Sequence, residues 1–307
     1  MINFIHKTVL LEETINYLDI KPDGIYLDAT VGGGGCSEEI ISGIIPSNGK
    51  LICIDQDPDA IQYCKNKFSN YKKNVFLFQS NFSVINKIFS DIKFDGIVLD
   101  LGVSSYQIDT QERGFSYKKN AILDMRMSKS GTSAREFINK LEQKELSKII
   151  KNYGEEKYHK IISNNIIKYR RNREIKYTLE FSEIVKNSVP FCHQKKAIKT
   201  TFQAFRIYVN SELENLKTFL DFGFKLLKKS GRICILTFHS LEDRIVKQFF
   251  LDCSKNCNCP KEFPICVCGK KQLVKIITKK PIIPSLEEIN LNPRSKSAKL
   301  RVYEKIY

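Results

Sequence analysis

The chain has 307 residues, 42% hydrophobic and 27% charged, a balance that excludes a disordered or fibrous chain and leaves room for one large domain or a core with an inserted second one. Its 50 Lys and Arg against 34 Asp and Glu give a net charge of +16; this permits a polyanionic partner such as nucleic acid, although a composition rich in Ile, Lys and Asn is also what an AT-biased genome produces. No apolar run approaches the roughly 18 residues of a membrane span, and residues 1–7 lack a signal-peptide pattern, so no membrane association and a cytoplasmic location are expected.

In chain order, the first apolar run, Ile25-Tyr-Leu-Asp-Ala-Thr30, reads as a buried strand and leads into Val31-Gly-Gly-Gly-Gly35-Cys36-Ser37. Glycines placed directly after a strand allow positive φ and let a ligand approach the backbone, and Ser37 is expected to cap the helix that follows. Counting from Gly32 or from Gly33 does not produce the G-x-G-x-x-G of dinucleotide-binding folds. Acidic Asp28 followed at alternate positions by Thr30, Gly32 and Gly34 fits a methyltransferase loop instead. Further strands are expected at Leu51-Ile-Cys-Ile-Asp55, Val75-Phe-Leu-Phe78 and Gly96-Ile-Val-Leu-Asp100, separated by helical stretches. This βαβ alternation implies a parallel sheet covered on both faces, with its ligand site beyond the carboxyl ends of the strands. Asp55, followed by the Gln56-Asp57-Pro58 turn, is placed to accept both hydroxyls of a ribose. Asp100 opens Asp100-Leu-Gly-Val-Ser-Ser105 and has two readings. It touches cofactor, or with nearby backbone carbonyls, and a further contact from Ser104 or Ser105, it holds the N–H groups of a target amine so that the nitrogen lone pair faces a methyl donor.

From about Tyr106 to Lys199 the alternation stops, and the sequence is polar, basic and helical in period, as in an inserted helical domain. The expected organisation is a core in two parts, 1–105 and 200–307, around an insertion at 106–199. After helices within 201–229, Arg232-Ile-Cys-Ile-Leu-Thr-Phe-His239 resumes the sheet as a fifth parallel strand. Residues 273–278 and 299–306 look like a closing pair that can be antiparallel. His239, in Phe238-His-Ser-Leu-Glu-Asp-Arg244, is either a proton shuttle for the methylated amine or, more commonly for such a residue, a packed and hydrogen-bonded one. Asp124 and Arg126 either hold the insertion in place or contact the target nucleotide. The basic runs Lys168-Tyr-Arg-Arg-Asn-Arg173 and Lys195-Lys-Ala-Ile-Lys199 in the insertion, with Lys279-Lys280 and Arg294-Ser-Lys296 nearer the C-terminus, suit RNA phosphates and stacked bases, though each alone is more often a solvated face. Ten cysteines in a chain without a signal peptide favour thiols or metal ligation over disulfides. Four of them, Cys257, Cys259, Cys266 and Cys268, form two C-x-C pairs that either close a tetrahedral structural zinc site or are reduced structural thiols.

These motifs, taken together with His6-Lys-Thr-Val-Leu-Leu-Glu12, Glu112-Arg-Gly-Phe-Ser116, Tyr153-Gly-Glu-Glu156, Thr201-Phe-Gln-Ala204 and Asn292-Pro-Arg294, closely resemble the RsmH (MraW) family of bacterial ribosomal RNA small-subunit methyltransferases over essentially the whole chain. The resemblance implies an α/β fold: a class I S-adenosylmethionine-dependent methyltransferase core, with a Rossmann-like doubly wound sheet interrupted by a helical substrate-recognition domain. It implies N4-methylation of a cytidine in the decoding centre of 16S rRNA, near the P site, with naked rRNA or the assembling small subunit as partner. By motif position it puts cofactor contacts on Gly34, Gly35, Cys36, Asp55, Phe82, Asp100 and Gln107. The chain departs from the pattern at Cys36, where the family usually has His, so that a contact there falls to the backbone; Tyr106 replaces a Pro and Lys296 an Arg. Since a stacked or paired base cannot reach a buried methyl donor, the cytidine is expected to be flipped into the pocket. A different class of function, a catalytically inactive RNA-binding assembly factor on the same fold, draws its support from Cys36. A methyltransferase for DNA or small molecules leaves the basic insertion unexplained.

Overall fold

The computed structural model describes residues 8–45, 47–260 and 267–307. In chain order these form α1 (Leu11–Leu18), β1 (Ile25–Asp28), α2 (Gly35–Ile44), β2 (Lys50–Asp55), α3 (Pro58–Lys67), β3 (Val75–Gln79), α4 (Ile85–Ile88) and β4 (Phe94–Asp100). Then come α5 (Ser105–Asp109), α6 (Ala134–Lys140), α7 (Gln143–Gly154), α8 (His159–Arg170), α9 (Thr178–Lys186) and α10 (Gln194–Asn210). The chain closes with α11 (Glu212–Gly223), β5 (Leu227–Thr237), α12 (Ser240–Cys253), β6 (Val274–Ile276), α13 (Leu286–Leu291) and β7 (Lys299–Lys305). Two compact units result: residues up to Gly102 together with Glu214–Tyr307, and Val103–Leu213 between them.

The first unit is built on a seven-stranded sheet of order β3-β2-β1-β4-β5-β7-β6. Strands β1 to β5 are parallel, whereas β7 runs antiparallel between β5 and β6. This is the class I methyltransferase sheet, with its antiparallel closing pair. Because side chains alternate across a strand, the β-branched runs supply two cores at once. Leu27, Ile52, Ile54, Ile97, Leu99, Ile233 and Ile235 pack on one face against Phe219 of α11 and Phe250 of α12. Tyr26, Leu51, Cys53, Val98, Cys234, Leu236 and Val302 pack on the other against Ile40 of α2 and Ile61 of α3. The order reverses between β1 and β4, and such a switch point opens a crevice at the strand ends. The residues delivered there are the last ones of each strand: Asp28 of β1, Asp55 of β2 and Asp100 of β4.

The second unit has its own core, including Leu123, Met125, Ile138, Leu146, Ile150, Ile166, Phe181, Phe202 and Phe205. Gly154 of α7 lies so close to α10 that a Cβ there would stand 2.7 Å from the Thr200 carbonyl oxygen. The expected 199/200 junction falls inside α10, an unbroken helix whose apolar residues Ala197, Phe202 and Phe205 belong to this core. Among the described residues, no helix is long and apolar enough to cross a membrane.

Candidate functional site

The glycine-rich turn after β1 is tied to the end of β2. The Gly32 N–H donates to Asp55 Oδ2 at 2.9 Å, and the Asp57 N–H to Asp55 Oδ1 at 2.8 Å. One carboxylate therefore fixes both the loop and the following turn. Helix α2 begins at Gly35, not at Ser37, because Gly34 takes the left-handed conformation at the N-cap, with φ +74°. A Cβ on Gly34 would stand 2.7 Å from the Phe68 ring, and one on Gly35 would run into the Thr8 hydroxyl. Ser37, expected as the cap, lies within the first turn and donates its hydroxyl to Asp28 Oδ2 at 2.7 Å. The Thr30 N–H, at 3.2 Å, donates to Asp28 Oδ1. Asp28 is thus a buried strut under the loop and not a residue facing ligand. Cys36 is also buried, packed among the apolar side chains beneath the sheet, and burial pushes its thiol well above the ordinary range, so it stays neutral.

Asp100 differs from the other two carboxyls. Its backbone N–H donates to Thr30 Oγ1 at 2.7 Å, but its buried Oδ1 has no hydrogen-bond partner among the described residues. Burial, then the charges of Asp28 and Glu242, push its pKa up to about 8. Burial lifts Asp55 and Asp28 only to about 6, because backbone donors hold Asp55 down and Ser37 with Thr30 hold Asp28 down. An orphaned, shielded carboxyl oxygen that resists ionisation is a cavity feature completed by positive charge or by N–H donors. A cationic nucleoside fits this set: Asp55 for its ribose, glycine backbone free of side chains, and Asp100 for its charge.

Phe82 begins a short 3-10 turn after β3 and meets Phe219 edge-on at 5.5 Å between ring centres. Asn81 caps that turn and also donates to Gln56 Oε1 at 2.9 Å, joining the ends of β3 and β2. His239 is the N-cap of α12. Its Nδ1 accepts from the Glu242 N–H at 3.4 Å, while Glu242 Oε2 accepts from the N–H groups of Phe238 and His239 at 2.8 and 3.2 Å. With Nδ1 accepting, a ring proton sits on Nε2, which lies 3.1 Å from Glu242 Oε1 but outside hydrogen-bonding alignment. Asp243 is held by Arg301 at 2.6 Å and Lys299 at 2.9 Å, pinning α12 to β7. Sequence reasoning named Thr30 only as a small position of the loop and Glu242 only as part of the polar run after β5, and gave neither a role of its own; the His239-x-x-Glu242 capping spacing was the available signal for the second.

Ser104 and Gln107 fall in the second unit and form a capping box on α5. Ser104 Oγ accepts from the Gln107 N–H at 3.2 Å, and Gln107 Oε1 from the Ser104 N–H at 3.1 Å. Arg126 grips Asp124 through two nitrogens, at 2.9 and 2.6 Å, and also donates to the Gly131 carbonyl. The lysines Lys168, Lys195, Lys196 and Lys199 are exposed. Of the four cysteines singled out by spacing, Cys266 lies outside the described residues, and the sulfurs of Cys257, Cys259 and Cys268 lie within 4.8 Å of one another.

The model of the MraW methylase family matches residues 3–306. The ribosomal RNA small subunit methyltransferase H of Clostridium botulinum (strain Kyoto / Type A2) is 50% identical over 309 residues, covering 99% of each chain. That of Caldicellulosiruptor saccharolyticus is 50% identical over 306 residues, covering 98% of this chain and 99% of the relative. Among solved structures the likeness is distant: TrmN from Thermus thermophilus aligns with a TM-score of 0.44 at 11% identity, over 97% of this chain and 48% of that one.

Proposed function

The chain belongs to the MraW methylase family, and on that premise we propose that it methylates small-subunit rRNA, at the N4 amine of a cytidine in the decoding centre of 16S rRNA. Asp100 carries this reading, through its buried carboxyl oxygen, which has no hydrogen-bond partner among the described residues, at the switch point of the sheet. S-adenosylmethionine, when bound, supplies a methyl group on a positively charged sulfur. Asp55 accepts the ribose hydroxyls while its backbone donors keep the carboxylate aimed. Gly34 and Gly35 keep that approach clear of side chains, and Cys36 contributes backbone only. Phe82 offers an apolar face for the adenine, and by family pattern Gln107 adds a further contact.

Asp100 is protonated at neutral pH in the free protein and ionises as positive charge arrives. As a carboxylate it accepts an N–H of the target amine, directing the lone pair away from itself, and it is the acceptor for the proton that nitrogen sheds on methylation. His239 holds the first turn of α12 and thereby Glu242, which lends its charge to the site. The exposed lysines at the start of α10 and at the end of α8 serve RNA phosphates, and the cytidine reaches the pocket by flipping.

The experiment is transfer of tritiated methyl from S-adenosylmethionine to purified small subunits and to naked 16S rRNA. Label in one cytidine, lost in Asp100→Asn, is the expected result. No incorporation into either substrate while calorimetry shows the cofactor bound would favour a non-catalytic assembly factor.

A further inference from the structure

The segment between α12 and β6 is closed at its base by the Leu273 N–H donating to the Cys253 carbonyl at 2.9 Å. Lys270 braces it, donating to Asp252 at 2.9 Å and to Asn258 at 3.1 Å. None of the described residues between 254 and 273 is buried, and Val267 is 74% exposed. A loop of this length holds one shape only if something other than an apolar core fixes it.

Three thiols converge in it. Cys257, Cys259 and Cys268 bring their sulfurs within 4.8 Å of one another, and Cys257 Sγ stands 3.8 Å from Cys268 Sγ. Two thiolates bound about 2.3 Å from a tetrahedral zinc ion lie about 3.8 Å apart, the edge of that tetrahedron. Backbone donors already point at the sulfurs: the Asn258 N–H to Cys268 and the Cys259 N–H to Cys257, both at 3.3 Å. Such bonds stabilise thiolate over thiol. Gly269, with φ +60° and open space where a Cβ would be, turns the chain immediately after the last sulfur. Lys270 and Lys271 follow it and offset the negative charge of a thiolate cluster.

We propose that Cys257, Cys259 and Cys268 bind a zinc ion that takes the place of a core in this loop and staples α12 to β6. Cys253, though adjacent in the chain, is not among the converging thiols. We assign the ion a structural role, independent of methyl transfer, because its thiols lie on the loop between α12 and β6 and not at the strand ends that carry Asp55 and Asp100.

The test is elemental analysis of the full-length protein, purified under reducing conditions without chelator, then reconstituted with zinc and desalted. About one zinc per chain is expected for the native protein and for Cys192→Ser, whose exposed thiol lies in the other unit, against nearly none for the Cys257→Ser/Cys259→Ser/Cys268→Ser variant. Cobalt(II) reconstitution should give sulfur-to-metal charge-transfer and tetrahedral ligand-field bands that the triple variant lacks. Proteolysis within residues 254–272 should rise on metal removal while the rest of the chain stays resistant. Less than roughly half an equivalent in the reconstituted native protein, full retention by the triple variant, or a Cys257–Cys268 disulfide persisting under reducing conditions would overturn the proposal.

Discussion

Replacing Asp100 with Asn removes one charge from the pocket with little change of shape, and the effect on cofactor affinity should depend on pH in a calculable way. The carboxyl has a pKa of about 8 in the free protein. Binding a cation beside it requires the ionised form, so affinity falls by a factor of 1 + 10^(pKa − pH), about 10-fold at pH 7 and about 100-fold at pH 6 relative to the alkaline plateau. Asp55, at about 6, adds only about twofold at pH 6 by the same relation. A hydrogen bond to a charged group contributes about 1.5–3 kcal/mol, so above pH 8 the native protein should bind S-adenosylmethionine about 10–150-fold more tightly than Asp100→Asn. That ratio should shrink towards one by pH 6. Taking the ratio cancels titration of the cofactor's own amine, which both proteins see alike. Calorimetry in buffers of different ionisation enthalpy gives a second reading: about 0.9 proton released from Asp100 at pH 7 in the native protein, and none from that position in the variant. A ratio independent of pH, or equal affinities at pH 9, would refute the assignment of Asp100 to the positive charge.

In the absence of ligand the same group should act on stability with opposite sign. A folded-state pKa raised from the ordinary carboxyl range to about 8 means that the fold binds the extra proton, so its contribution is complete below pH 4 and is lost as pH rises to about 8. Asp100→Asn should therefore match the native protein in denaturant unfolding at pH 4 and exceed it at pH 9, by up to roughly 5 kcal/mol for a shift of about four units. Ser37→Ala removes the donor to buried Asp28 and should cost about 1–3 kcal/mol in the same assay, with an unchanged m-value. Gly34→Ala puts a Cβ at φ +74° against Phe68; a loss of about 1–3 kcal/mol and weaker cofactor binding in calorimetry are expected. His239→Ala should lose about 1 kcal/mol of cap stability, while His239→Asn, which keeps a capping acceptor, should retain both stability and saturating turnover. Collapse of turnover in His239→Asn with stability intact would instead assign the imidazole to proton transfer.

How far the sequence disclosed this molecule depended on the range of the forces involved. Strands ending in Asp55 and Asp100 were legible because each is a short apolar run closed by an acidic residue, and a parallel sheet delivers such ends to one edge; the first strand was read on to Thr30, whereas it ends at Asp28. The closing strands were legible as the apolar runs 273–278 and 299–306, with an antiparallel pairing left as one option; the structure shortens the first to Val274–Ile276 and pairs it antiparallel with β7. The start of α2 was not. A hydroxyl that caps a helix and one that donates to a carboxylate nine residues back look alike in sequence, and here Gly34 in the left-handed region displaced Ser37 from the cap. Nor could the pattern show that Glu242, 142 positions beyond Asp100, raises its pKa, or that β5 reaches back to Leu227 past Gly231, with a register shift against β4. The continuity of α10 through residue 200 was missed because the boundary was drawn where the basic run Lys195-Lys-Ala-Ile-Lys199 ends, although the amphipathic period continues past it without a breaker.

The central claim is that this pocket methylates a cytidine of the small ribosomal subunit at N4. Mass spectrometry of nucleosides from 16S rRNA tests it most directly, comparing cells that carry the intact protein, none, or the Asp100→Asn form. N4-methylated cytidine from a decoding-centre fragment should be present only with the intact protein. The same amount of that nucleoside in cells lacking the protein would contradict the account.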